Sequence, residues 1–399
     1  MLERYMAEGA LRFHMPGHKG LIELPGAAHD VTEVPGTDDL FDAAEGIREA
    51  QEEAARAWRA GASFLLVNGS TAGVQAMVLW AKARGRRIVL PRDCHVSAVY
   101  ACALADIQPV WAEPAWDAQE QLTRQFGCNL PPFGSDDKLA VFAAYPDYYG
   151  RCMDLPALKA RFACRDAALL ADAAHGAHFA FSPKLPTDAG EWADMWVCGA
   201  HKTLPAPTQT AFLHLKNESD APVVLRLLRG VATTSPSYLL MEGLDEARAR
   251  MQESPERLDC LAGDCVRLAE RLNGLTGLRC WREADVRAMG YAAYDPTRLV
   301  ADVRGLGMTG WEAGERLREI GLQAEMCDIF RVVLIATVVD GPESLEGVYE
   351  AFEKLARMGR PNAVVRGLGA LPARGEAAMT LRQAWLAETE EVKLKDCTG

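Results

Sequence analysis

No apolar run in these 399 residues approaches the ~18 that a membrane-spanning helix needs. The opening Met-Leu-Glu-Arg-Tyr-Met-Ala-Glu is charged and has no signal-type apolar region, so a cytoplasmic protein is expected. Eleven cysteines, an odd number scattered from Cys94 to Cys397, show no paired metal-type spacing. They read as reduced, mostly buried thiols, which argues against both a disulfide framework and a zinc site. Basic residues are in deficit: 43 Lys and Arg against 55 Asp and Glu leave a formal net charge of -12. A nucleic-acid binder normally shows a basic face, so small molecules and further copies of the chain are the expected partners. The chain also lacks internal repeats and low-complexity tracts.

What is present is a composition 49% hydrophobic, enough for a large core and, by length, two or three domains. Short apolar runs alternate with helical periodicity. Strands are expected at 63–68, 87–90, 107–112, 139–145, 168–171, 195–198 and 211–215, with helices near 43–59, 69–84, 95–105 and 155–164. That alternation implies a mostly parallel sheet covered on both faces. Beyond Leu240 a helix-rich connector reaches about Asn273. Strands at 299–303 and 332–338 and helices at 311–320 and 343–357 then suggest a smaller α+β domain.

The strongest chemical signal is His201-Lys202, set between the apolar runs Met195 to Cys198 and Ala211 to Leu215. Burial disfavours an ammonium group, and a neutral lysine amine is a nucleophile for aldehydes. A solvated loop lysine is the plainer alternative. Asn68-Gly69-Ser70-Thr71-Ala72-Gly73 carries a strand end into a helix start, where free N–H groups, hydroxyls and the helix dipole favour phosphate. An ordinary Ser/Thr cap fits the same residues. Asp172 closes a strand of small residues and needs a cationic or hydrogen-bonding partner, which a pyridinium N–H or an arginine would supply. In such sheets ligands bind at the carboxyl ends of strands, where Ser70, His95, Asp172 and Lys202 all fall. The Gly-, Pro- and His-rich stretch 11–40 is either a flexible arm or a lining of that site.

The ordered set Phe-His-Met-Pro-Gly-His-Lys-Gly (13–20), Gly-Thr-Asp-Asp-Leu (36–40), Asn-Gly-Ser-Thr-Ala-Gly (68–73), Arg-Asp-Cys-His-Val-Ser (92–97), Tyr-Tyr-Gly (148–150), Asp-Ala-Ala-His-Gly-Ala-His-Phe (172–179), Ala-His-Lys-Thr-Leu-Pro (200–205) and Thr-Thr-Ser-Pro-Ser-Tyr (233–238) resembles the Orn/Lys/Arg decarboxylases. These are fold-type-I enzymes dependent on pyridoxal phosphate. The resemblance covers most of the first 240 residues. It implies an α/β cofactor-binding large domain (41–245) behind a site-lining arm (1–40), followed by connector helices and a small C-terminal α+β domain (246–399). It implies pyridoxal 5'-phosphate as cofactor, with Lys202 forming the Schiff base, His95 stacking on the ring and Asp172 pairing with the ring nitrogen. Ser70, Thr71, Ala72, Ala174 and His201 would complete the cofactor site, and Thr234 would reach it across a homodimer interface. His175, His95 or Lys202 would return a proton to the substrate, and Glu325 and Asp328 would hold the distal cation of arginine, lysine or ornithine. A decarboxylase of the polyamine pathway is thus expected.

Four departures bear on that expectation. Gly199 stands where the family usually has a hydroxyl residue, and Asp147 where a threonine is expected. Arg331 opens a strand as aminotransferase arginines do that grip the α-carboxylate, which would favour an aminotransferase or lyase; a non-catalytic regulatory paralogue is the third possibility. The chain also stops at Cys397-Thr398-Gly399, short of the family's usual end, and has no N-terminal wing domain. It is therefore either naturally short or truncated, and decameric rings are not expected.

Overall fold

Seven apolar runs pair into one sheet. In the computed structural model, which describes residues 1–392 except 24, 125–132, 135, 361–362, 368 and 371–374, they are β1 (Ala62–Leu66), β2 (Arg87–Pro91), β3 (Val110–Ala112), β4 (Leu139–Ala144), β5 (Ala167–Asp172), β6 (Met195–Cys198) and β7 (Ala211–Leu215). The chain end at Cys397 to Gly399 lies outside the described residues. Strand order is β1-β7-β6-β5-β4-β2-β3. The pairs β2/β3, β2/β4, β4/β5 and β5/β6 are parallel. Only β7 runs against its neighbours, because the short link through 199–210 returns the chain directly beside β6.

Both faces of the sheet are covered, so its strands are apolar throughout rather than alternating. On β4, Ala140 and Phe142 pack into one layer while Val141 and Ala143 pack into the other. The first layer holds α2 (Gly69–Ala83), α3 (Val96–Leu104) and α6 (Ala221–Val231), following α1 (Gly46–Ala57) in the chain. Val74, Met77, Val78 and Ala81 form the buried stripe of α2, as their spacing predicts. Each larger side chain among them contributes about 1.5–3 kcal/mol by burial. On the opposite face lie α1 and the helix-rich connector, α7 (Tyr238–Glu253) and α8 (Pro255–Asn273). Two short helices, α4 (Leu155–Arg161) and α5 (Ala200–Thr203), join strands of the large sheet.

A second, antiparallel sheet follows: β8 (Arg279–Cys280), β9 (Arg298–Asp302), β10 (Met326–Cys327) and β11 (Arg331–Ile335), in the order β8-β9-β11-β10. It is accompanied by α9 (Gly310–Glu319), which a Thr309/Glu312 capping box starts, and α10 (Pro342–Arg357). The weak period near Leu381 becomes α11 (Leu381–Leu386), whose Trp385 ring meets Tyr100 of α3. No helix among the described residues is long and apolar enough to cross a membrane.

Candidate active site

A cavity of about 560 Å³ opens at the carboxyl ends of the parallel strands. It is lined by Ser70 and Thr71 after β1, His95 after β2, Asp172, Ala174 and His175 at the end of β5, and His201 and Lys202 after β6. Residues far apart in sequence thus meet because parallel strands deliver their ends to one edge. Asp93, Asp147, Tyr148, Thr208 and Gln209 line it as well.

The N-terminus of α2 is left open. Asn68 precedes it but makes no side-chain cap, because its Oδ1 accepts instead from the Thr233 N–H. Ser70 Oγ is buried without any protein partner. Unpaired donors and a buried, unsatisfied hydroxyl at a helix start are costly unless an anion or water satisfies them. Close by, the His201 ring is fixed by an Nδ1–H donated to the Thr210 carbonyl at 2.8 Å, which leaves Nε2 for a ligand. These groups fit a phosphate. The missing hydroxyl at Gly199 also has a steric reason. A Cβ there would come 2.7 Å from the Ala174 carbonyl and 3.1 Å from Ser70 Oγ. Ser70 occupies the space that a side chain at 199 would need.

Asp172 Oδ1 accepts weakly from its own turn, at 3.2 Å from Ala174 N, and no arginine or lysine among the described residues forms an ion pair with it. It fits the N–H of a protonated heteroaromatic ring. His95 caps α3: its Nδ1 lies 2.8 Å from Ser97 Oγ and accepts from Ser97 N, so the imidazole plane is pinned.

Lys202 Nζ lies 3.1 Å from His175 Nε2, and His175 Nδ1 lies 2.6 Å from Arg298 Nη2. Burial, then the Arg298 charge, push the Lys202 amine below the ordinary lysine range against the pull of Asp172 and Glu325. Burial first, then Arg298 and Lys202, hold His175 well below the usual imidazole value. Burial thus shifts both groups toward their neutral forms.

Not every expected residue reaches the cavity. Ala72 is buried in the first turn of α2, and Thr234 is exposed on a neighbouring segment, away from the cavity lining. In the arm, His14 contacts Tyr5 Oη and His18 contacts Asp30, and neither lines the cavity. Glu325 approaches the rim through Tyr148, whose hydroxyl donates to Oε1 at 2.5 Å. Asp328 and Arg331 lie elsewhere. Arg331 is fully buried, donating to Glu120 at 2.6 Å and to Asp328 at 3.0 Å beside the Trp281 ring. Asp328 also accepts from Tyr149 Oη and from the Phe330 and Arg331 N–H groups. The charge of Asp147 is neutralised by Arg151 Nε at 2.7 Å. Sequence reading missed Arg298, whose one available signal was a charged residue directly preceding the apolar strand run Leu299 to Ala301.

Residues 1–341 match the family Orn/Lys/Arg decarboxylase, major domain. The chain belongs to the Orn/Lys/Arg decarboxylase family. Among curated proteins, this family member is similar to the arginine decarboxylase of Bacillus subtilis (strain 168), with 28% identity over 422 residues, 100% of this chain and 85% of that protein. Its fold matches the Escherichia coli constitutive lysine decarboxylase with a TM-score of 0.76 at 17% identity, covering 89% of this chain. It spans 60% of that lysine decarboxylase's length. A structure of SPT containing PLP matches with a TM-score of 0.62 at 14% identity, over 81% of each chain. The decarboxylase family member is thus a fold-type-I α/β protein; the alternation of strands and helices led one to expect the mostly parallel sheet, and the resemblance the fold type.

Proposed function

We propose that this protein decarboxylates a basic amino acid, arginine, lysine or ornithine, with pyridoxal phosphate as cofactor. One observation carries the proposal. Lys202, an unpaired Asp172 carboxylate and an unsatisfied Ser70 hydroxyl at an uncapped helix start line the same cavity.

In this reading Ser70, Thr71, His201 and the first N–H groups of α2 hold the phosphate. Lys202 Nζ would hold the cofactor's aldehyde carbon, His95 would stack on its ring, and Asp172 would keep a proton on the ring nitrogen. Bound pyridoxal phosphate supplies an electron sink for the pair left at Cα when CO2 departs. His175 lies beside Lys202, so either group can move a proton from Nε2 or Nζ to that carbon. The Tyr148 ring, 4.8 Å from the His175 ring, limits water there. Glu325 at the rim would attract the distal cation of the substrate. Thr234, exposed and next to the Thr233 that bonds Asn68, would complete the site of a second copy in a homodimer.

The aminotransferase or lyase alternative drew on Arg331. With its guanidinium committed to Glu120 and Asp328, that residue gives the alternative no support. The deciding experiment supplies cofactor and carboxyl-labelled arginine, lysine and ornithine in turn. Labelled CO2 from one of them is expected; none from any of the three, with a keto acid formed instead, would overturn the proposal.

A further inference from the structure

Arg298 opens β9 in the small sheet, yet its side chain reaches back to the edge of the large one. It is fully buried, and no carboxylate among the described residues forms an ion pair with it. Its Nε and Nη1 have no protein partner, which leaves the 2.6 Å contact from Nη2 to His175 Nδ1 as its side-chain hydrogen bond. Gly150 helps seal it in: a Cβ at that position would come 2.6 Å from Arg298 Cγ, and the backbone there has φ +79°. Asp295 and Glu325 act on it only from a distance, and a buried cation with no carboxylate in contact is expensive, so its placement calls for a reason.

The hydrogen-bond chain supplies one. A guanidinium can only donate, so His175 Nδ1 must accept and cannot carry a proton. A neutral imidazole with an unprotonated Nδ1 carries its hydrogen on Nε2. That hydrogen points at Lys202 Nζ, 3.1 Å away, and the contact is a hydrogen bond only if Nζ offers a lone pair. An ammonium has none. We infer that Arg298 is a positioning residue that fixes the tautomer of His175 and, through it, holds Lys202 as a free amine. The inference rests on Lys202 being the reactive lysine of the proposed function, and it adds a reason why that lysine is reactive. Other charges facing the pair are Asp172 and Glu325 toward Lys202, and His95 and His178 toward His175. The lowered proton affinities of Lys202 and His175 agree with the chain of donors.

The test uses the whole 399-residue chain freed of cofactor, so it does not depend on which amino acid is decarboxylated or whether one is. ¹⁵N-histidine labelling should show His175 with hydrogen on Nε2 at neutral pH. An Nδ1–H tautomer or an imidazolium would overturn the inference with no variant needed. Acetylation of Lys202 by acetic anhydride, followed by peptide mass spectrometry across pH, gives the second readout. Arg298→Met should slow it about tenfold near neutral pH and move its midpoint to higher pH. Arg298→Lys, which keeps a donor and a charge, should restore the profile. In a His175→Phe background, which keeps the ring but removes the relay, only the direct effect of the Arg298 charge on Lys202 should remain, so Arg298→Met should act clearly less than it does with His175 in place. An equal effect with Phe in place would mean that Arg298 acts by direct charge alone, and an unchanged profile in the single variant would mean that it does not act on Lys202; either sinks the inference. CO2 release absent from a chain that passes these tests would instead count against the proposed reaction.

Discussion

Arg331 Nη2 lies 2.6 Å from Glu120 Oε2, with both residues buried, and its Nη1 lies 3.0 Å from Asp328. Burial works to raise the Glu120 carboxyl, but hydrogen bonds from Arg331 and Arg279 outweigh it and hold the group below the usual range. This pairing ties the excursion after β3 to the small sheet. It is a structural joint, away from the cavity.

Arg331→Met should therefore destabilise the fold by about 1–3 kcal/mol, the cost of losing buried charge-assisted hydrogen bonds while Arg279 and Arg304 still pair with Glu120. Thermal unfolding would fall accordingly, while cofactor binding at temperatures where the variant is folded should persist. Loss of substrate turnover with an unchanged melting temperature would show that Arg331 serves the reaction after all.

The two arginines illustrate what could be read from the sequence. Arg298 pairs with Ile335 and Arg331 with Asp302, so they stand at opposite ends of one antiparallel pair. At about 3.4 Å per residue the ends are about 13 Å apart, and only one can approach the cavity. Both look alike in sequence, each a charged residue opening an apolar run. Which end faces the site depends on how the small sheet docks, and no local pattern records that. The large sheet was legible because its strands are buried on both faces and its helices carry a clear apolar stripe, as in α2. Lys202, Asp172, His95 and Ser70 were legible because strand ends converge in this topology. The reason for Gly199 was not legible, since the space it leaves to Ser70 appears only in three dimensions.

That close approach makes its own prediction. Ser70→Ala should weaken pyridoxal phosphate binding about 10–100-fold, the range for losing a hydrogen bond to a charged group of about 1.5–3 kcal/mol. Gly199→Ser, which restores the family's usual hydroxyl, should also weaken it, because its Cβ would crowd the Ala174 carbonyl and Ser70 Oγ. Titration of the cofactor by fluorescence quenching checks both. Tighter binding by Gly199→Ser would show that the site relaxes to accept the second hydroxyl.

The two acids expected to read the substrate should separate. Glu325 is exposed and touches the cavity through Tyr148, so Glu325→Ala should raise KM for the basic substrate about two- to fivefold with kcat nearly kept, a modest effect suited to a solvent-screened charge. Asp328 accepts from Tyr149, Arg331 and two backbone N–H groups, so Asp328→Ala should lower the melting temperature instead. Steady-state kinetics beside thermal unfolding distinguish them, and the reverse assignment would place the distal cation near Asp328.

Asp188 gives a prediction far from the cavity. Its Oδ1 accepts from Gly190 N at 2.8 Å, while Oδ2 is buried with no partner. Burial raises its carboxyl to about 7, against smaller opposing effects of the Gly190 and Ala189 N–H groups. In the unfolded chain an aspartate titrates near ~3.9. The folded state therefore binds the proton more tightly, so this group's contribution is fully present below ~3.9 and is lost as pH rises toward about 7. Asp188→Asn keeps the Oδ1 acceptor but cannot ionise. Its melting temperature relative to the unsubstituted protein should rise steadily between pH 4 and 7 and level off above that window. A difference independent of pH would mean that Asp188 is solvated in the folded state and titrates as it does in the unfolded chain.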